Sequence, residues 1–334
     1  MHRSWSRIVG ASMVATILAL SVSAGVSARG RVEATRAWVP LGPDRILDRV
    51  ALAPLPPFST RPFAVSSATI RTLAWKDLPT NGSHLLSLQR AAGSDAQGIT
   101  FKVINGRRVY SPGNLASDGD RYLDGYVRTG NPAYLERALV RARKLLTLSV
   151  MSGGGRYFAY KFSYASEGLP APWFSAYSQG FALSLFVRLY RVTGDRHWAD
   201  RARETALSFR RLGPASRPWV AYAPNGFLWL EEYPSAHPSH VLNGFDFALF
   251  GLYDYERLTR DPTAHALLEG ALRTMRAYGA RYRVPSQVCL YDLVHRTQPV
   301  HYHAIAIWQL RDLTALSGDP WYAHLAALLK RDHR

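Results

Sequence analysis

The spacing of hydrophobic positions changes character once along the chain, near residue 111. Before that point apolar runs are short and broken. Residues 65–75 (VSSATIRTLAW) alternate loosely between apolar and polar, which predicts a strand. Residues 99–110 (ITFKVINGRRVY) place a strand-like run on each side of Asn105 and Gly106, a two-residue hairpin signal. Prolines crowd residues 40–62, so no long helix runs through them. From residue 111 onward the period is helical, which predicts a mainly α region over 111–334 behind a small irregular or β region over 29–110.

The helical region repeats. Residues 126–138 (YVRTGNPAYLERA) read as a helix end, a turn and a new helix start. The pattern returns at 190–202 (YRVTGDRHWADRA), at 255–265 (YERLTRDPTAH) and at 313–323 (LTALSGDPWYA). Glycines at 130, 194 and 318 suit left-handed C-caps, and Asn131, Asp195, Asp261 and Asp319 suit N-caps. A proline directly after three of those caps fits the first helical turn. Each copy therefore marks one tight turn between antiparallel helices. Such pairs stack either into an α-solenoid closed as a toroid or into a helical bundle.

Composition bounds the partners. The chain has 334 residues, 47% of them hydrophobic and 19% charged, enough to bury a large core. A formal net charge of +17 points to a polyanionic partner, or else to arginines dispersed with no patch. His2, Arg3 and Arg7 precede an uncharged run over 8–28 that ends in small residues, so 1–28 reads as a secretory signal peptide. The run is long enough to remain as a membrane anchor instead. Export makes nucleic acid a poor partner and an acidic glycan a better one. A single cysteine, Cys289, leaves no disulfide and no cysteine metal cluster.

Candidate chemistry gathers in a few places. Residues 229–244 (WLEEYPSAHPSHVLNG) set Glu231 and Glu232 beside Tyr233, in a loop bounded by prolines and apolar segments. The bland reading of these carboxylates is a cap or a surface ion pair. Tyr291-Asp292-Leu293-Val294-His295 and His301-Tyr302-His303 collect phenols and imidazoles farther on. The spacing of His301 and His303 suits a strand better than one helix face, and no HExxH pattern accompanies them. Gly153-Gly154-Gly155-Arg156 lets backbone come close to a ligand, but no lysine–hydroxyl pair follows as a phosphate loop requires. Cys289, between Val288 and Leu290, reads as a small core residue.

Four of these stretches, in order, resemble one family. WLEEYP with VLNGF, the YDLxH of 291–295, the YH…QL of 302–310, and Trp173-Phe174-Ser175-Ala176-Tyr177-Ser178-Gln179-Gly180 are similar to the D-glucuronyl C5-epimerase C-terminal catalytic domain. The resemblance implies an (α/α) toroid and a uronic-acid residue of a polysaccharide as substrate. It further implies catalytic roles for Tyr233, Tyr291, Tyr302 and Glu232, and substrate contacts for Gln179, Asn243, His295 and His303. Glu232 and Tyr233 would serve one face of the sugar and Tyr302 the other, with Tyr291 positioning the sugar or relaying the proton. Two departures stand out. The family's arginine in YDLRH is Val294 here, and a histidine and an asparagine after the last tyrosine are Ala306 and Trp308. Arg156 or Arg296 is then a candidate to receive the substrate carboxylate.

The reading is an exported uronyl C5-epimerase that needs no cofactor and no metal. Its alternatives are a polysaccharide lyase or hydrolase on the same toroid, or a non-catalytic glycan-binding envelope protein. A hydrolase would draw its two carboxylates from Glu231, Glu232, Asp246 and Asp292.

Overall fold

The protein is described by a computed structural model over residues 59–333 except Ser216. The signal segment and most of the proline-rich stretch lie outside the described residues. Within them, eight α-helices form four consecutive hairpins: α1 (Pro112–Thr129) with α2 (Pro132–Leu146), α3 (Ala176–Thr193) with α4 (Arg196–Leu207), α5 (Leu242–Thr259) with α6 (Pro262–Tyr278), and α7 (Val300–Ser317) with α8 (Pro320–Asp332). α1 packs on α3, α3 on α5, and α5 on α7, while each even-numbered helix backs its own partner. This is the (α/α) toroid arrangement. The inner helices α3 and α5 are buried over nearly their whole length, while α2 and α4 bury one face.

Each hairpin turn uses the same chemistry. Asn131, Asp195, Asp261 and Asp319 accept from the backbone N–H two residues on. The hydroxyls of Thr129, Thr193, Thr259 and Ser317 each donate to the carbonyl four residues back and accept from the N-cap's own N–H at 3.2 Å. Gly130, Gly194 and Gly318 take the left-handed cap, and in the third copy Arg260 does so with φ of 54°. That residue explains why the third repeat is the least regular in sequence.

Strands are few. β1 (Lys102–Ile104) and β2 (Arg107–Val109) pair across Asn105 and Gly106, both at positive φ. β3 (Ser149–Ser152) and β4 (Gly155–Phe158) pair around Gly153 and Gly154. β5 (Leu212–Gly213), β6 (Ala221–Tyr222) and β7 (Trp229–Leu230) make a small sheet that leads into the Glu231 loop. The triglycine is thus a hairpin turn and not a ligand loop.

The strand expected over residues 65–75 is absent. This stretch instead opens an extended strap that crosses the C-terminal ends of the inner helices. With no neighbouring strand, its backbone is met by side chains and helix ends. Arg71 donates its N–H to Leu316 at the end of α7, and the Tyr253 hydroxyl bridges the Leu73 N–H and the Arg71 carbonyl. Arginines supply donors to the carbonyls: Arg257 to Ile70, Arg188 to Pro79, Arg128 to Gly82, Arg137 to Leu88 and Arg141 to Gly98.

The inner helices touch most closely where α3 crosses α5. A Cβ on Gly180 would lie 2.4 Å from the Ala248 Cα, and one on Gly251 would lie 2.3 Å from the Gly180 carbonyl oxygen. Nearer the strap, the fully buried Arg188 of α3 bonds Asp254 of α5 at 2.8 Å and also the Asn81 side chain. Removing only the cation strands the carboxylate in the interior. Arg188→Met is therefore expected to cost about 3–5 kcal/mol in urea unfolding. A loss under about 1 kcal/mol would show that this charge is not a structural requirement.

Candidate active site

Alternation along the chain after β7 sends neighbouring carboxylates opposite ways. Glu231 turns inward and is fully buried. One oxygen meets His240 Nδ1 at 2.6 Å, and the other accepts the His240 N–H at 3.3 Å. The His240 ring stacks on Trp229 with centroids 3.9 Å apart, and its Nε2 lies 3.2 Å from the Tyr222 hydroxyl. Glu231 is thus spent on shaping the loop.

Glu232 sits against the first turn of α5. A Cβ on Gly244 would lie 2.2 Å from Glu232 Oε2, so only glycine leaves room for this carboxylate. That oxygen is buried and accepts no hydrogen bond. Burial pushes the Glu232 carboxyl up to about 7, against the pull of hydrogen bonds from the Tyr233 and Tyr291 hydroxyls.

Three phenols surround it. The Tyr233 and Tyr291 hydroxyls are 3.2 Å apart, and the Tyr291 and Tyr302 rings are 4.4 Å apart. Burial, reinforced by the charge of Glu232, pushes all three phenols above the ordinary tyrosine value. They are acids that hold their protons beside a carboxyl poised near neutrality. Tyr233 is buried, while Tyr291 and Tyr302 are half-buried and open the site toward solvent.

Separate elements hold each phenol. Tyr233 packs on Trp173, centroids 6.0 Å apart, and Trp173 stacks on Tyr160 at 4.0 Å. Tyr291 is set by Asp292, whose carboxylate collects the N–H groups of Val294, His295, Arg296 and Thr297 and the Thr297 hydroxyl. Tyr302 stands in the first turn of α7. The expected strand spacing of His301 and His303 is therefore a helical turn, and the two rings diverge: His301 is exposed beside Tyr302, and His303 is buried.

The other expected contacts divide. Gln179 is fully buried and spent, accepting from Phe158 N–H at 2.9 Å and donating to the Arg156 carbonyl and Ser208 Oγ at 2.7 Å. His303 accepts from Cys289 N–H at Nδ1 and donates to the Leu329 carbonyl at Nε2, each at 3.0 Å. Arg156 pairs with Glu204 at 2.7 Å and also meets Ser149 on the outside of the ring. These three belong to the scaffold, because their polar atoms already have protein partners. Asn243 lies in the first turn of α5, with its side-chain oxygen buried and unpartnered. His295 is exposed at the mouth, 3.5 Å from Asp292 and 3.9 Å from Glu167. Val294 and Arg296 are exposed nearby. Cys289 is a core residue whose thiol burial pushes up to about 12.

Two residues escaped the sequence reading. Tyr164 packs on Tyr233, centroids 5.3 Å apart, and Glu167 faces His295. The signal for Tyr164 was the period-two run Tyr160, Phe162, Tyr164 within an irregular stretch; Glu167 had none. Among the described residues no group of three or more histidines, cysteines or acids is placed to hold a metal.

The arrangement defines an (α/α) toroid with a phenol-lined carboxylate at the end where the inner helices begin. The D-glucuronyl C5-epimerase C-terminus family matches residues 155–331, more than half of the chain, and the chain belongs to that family. It is 30% identical over 172 residues to the D-glucuronyl C5-epimerase of Caenorhabditis elegans, across 45% of this chain and 27% of that protein. It is 25% identical over 167 residues to an uncharacterized protein of Methanocaldococcus jannaschii, covering 49% of this chain and 53% of that one. The chain thus spans about a quarter and about half of the lengths of these relatives. Cellobiose 2-epimerase from Bacillus thermoamylovorans superposes with a TM-score of 0.51 at 11% identity, over 67% of this chain and 59% of that one, a likeness of fold alone.

Glu232 gives a stability test. Its folded pKa, about 7, lies above the ordinary 4.5. Between those values the folded state keeps a proton that the unfolded state releases, so stability falls as pH rises. Glu232→Gln removes this component. Its stability relative to wild type is expected to improve by about 3 kcal/mol as pH rises from about 4.5 to about 7. Denaturation curves whose difference is independent of pH would reject the raised value.

Proposed function

We propose that the chain is a uronyl C5-epimerase that inverts C5 of D-glucuronate to L-iduronate within an acidic polysaccharide, working outside the cytoplasm. The observation that carries the reading is Glu232, buried without an ion-pair partner among three protonated phenols. The C5 hydrogen of a uronate is acidic because the electron pair left behind enters the C6 carboxylate as an enolate. Inversion needs a base on one face of the ring and an acid on the other.

Glu232 is the base. It takes the C5 proton while the C–H electrons move toward C6, and Tyr233 donates to the same carboxylate and orients it. Tyr302 then gives its phenolic proton to the opposite face of C5. This leaves a protonated Glu232 and a Tyr302 phenolate with Tyr291 beside both. Transfer from the carboxyl to Tyr291, and from Tyr291 to the phenolate, restores the starting state. It runs downhill, because the carboxyl is the stronger acid. The starts of α5 and α7 add partial positive charge where the enolate develops.

A hydrolase has less support, since Glu231 and Asp292 are fully committed to loop hydrogen bonds. The basic, small-residue-ended N-terminal segment favours export, with a membrane tether if it stays uncleaved.

NMR of glucuronate-containing polysaccharides in deuterated water tests the reading. Deuterium is expected at C5 with no shortening of the chain, at a rate that climbs as pH rises through about 7 and Glu232 ionises. Tyr302→Phe and Glu232→Gln are each expected to lower this rate at least about a hundredfold. Unsaturated, shortened products would identify a lyase instead, and an acidic glycan that binds without exchange would identify a binding protein.

A further inference from the structure

The hairpin over residues 160–173 roofs the site. Tyr160 and Trp173 exchange backbone hydrogen bonds at 2.8 and 3.2 Å, and Tyr164 and Leu169 do the same at 2.7 and 3.0 Å. The Trp173 indole N–H donates to the Phe162 carbonyl at 2.8 Å, which pins the roof from beneath. Tyr164 near its tip lies almost parallel to Trp173, centroids 6.0 Å apart, and leans on Tyr233. Unlike those two buried rings, Tyr164 is half-exposed.

Glu167 follows three residues later on the same tip. One carboxylate oxygen is 3.9 Å from His295 Nδ1, and the other is buried. The Ser239 hydroxyl, fully buried on the loop beneath, faces the Glu167 carboxylate and favours its charged form. The carboxylate oxygen toward His295, 3.9 Å away, is beyond hydrogen-bond distance and keeps its lone pairs for a ligand at the mouth. A pyranose fits that demand. Its C–H face stacks on an aromatic ring, and its hydroxyls both donate and accept.

Resting on the epimerase reading of the same site, we infer that Tyr164 and Glu167 form a sugar-recognition wall, Tyr164 stacking on a pyranose of the uronate-containing chain and Glu167 accepting one of its hydroxyls. His295 holds Glu167 in place from the opposite loop. Ser239 supports the same carboxylate from the loop beneath. Neither residue takes part in moving the C5 proton, so their loss weakens binding and spares the chemical step.

Glucuronate-containing oligosaccharides titrated into the full chain by calorimetry, with C5 exchange measured in parallel, test this. Tyr164→Ala is expected to weaken binding about tenfold and Glu167→Gln about fivefold. Tyr164→Phe keeps the stacking and is expected to stay within about threefold of wild type. In exchange kinetics both losses fall on KM, with kcat held within about threefold. Thermal unfolding checks that each variant is folded. Folded Tyr164→Ala and Glu167→Gln proteins that bind as wild type does would overturn the proposal, as would losses confined to kcat. If wild type binds but exchanges no C5 proton, the epimerase reading falls while the recognition wall stands. If no glucuronate oligosaccharide binds wild type, both fall.

Discussion

All four inner helices begin at the same end of the ring, and most of the structure answers to that constraint. Parallel helices pool their dipoles, each equivalent to roughly half a charge at either terminus. The end where they start is electropositive and gathers Glu232, the phenols and the open mouth. The end where they finish is electronegative, and arginines meet it: Arg128 and Arg257 lie in the last turns of α1 and α5, and Arg260 caps α5. In the proposed mechanism, developing negative charge at the first end meets helix N-termini and not carbonyls.

The same constraint recasts the net charge. A charge of +17 reads most simply as attraction to a polyanion. Several arginines have an internal task instead, since they bond the carbonyls of an extended strap that joins no sheet. A guanidinium suits this task, because its several donors are fixed in a plane and its charge favours the negative helix ends. Near the mouth basic side chains are fewer: His295, His301 and Arg296 are exposed there, and Val294 stands where the family resemblance implies an arginine.

The hairpins were legible because their turn chemistry is local. A threonine, a glycine, a capping Asn or Asp and a proline each act within four residues, so the code survives even where Arg260 replaces the glycine. That Tyr233, Tyr291 and Tyr302 lie together was legible through motif order. Gln179, His303 and Arg156 were misread because a polar side chain that fastens two elements looks, in one dimension, like one that awaits a ligand. Residues 65–75 were misread because a period of two sets which way side chains face but not whether a partner strand exists. Only the family resemblance told Glu231 and Glu232 apart, since their physical difference is the direction each side chain takes from an extended backbone.

The strap also orders events in time. Residues 71 and 73 are made early, yet their partners at Tyr253 and Leu316 lie some 180 to 245 positions later in the chain. Closing loops of that length is entropically costly and slow, and it is repaid only when both ends are present. The ring therefore cannot be fastened until its last hairpin has been synthesised. Until then the strap can bond only the hairpins already made, through Arg128, Arg188, Tyr253 and Arg257, and its bond to Leu316 is the last to become available.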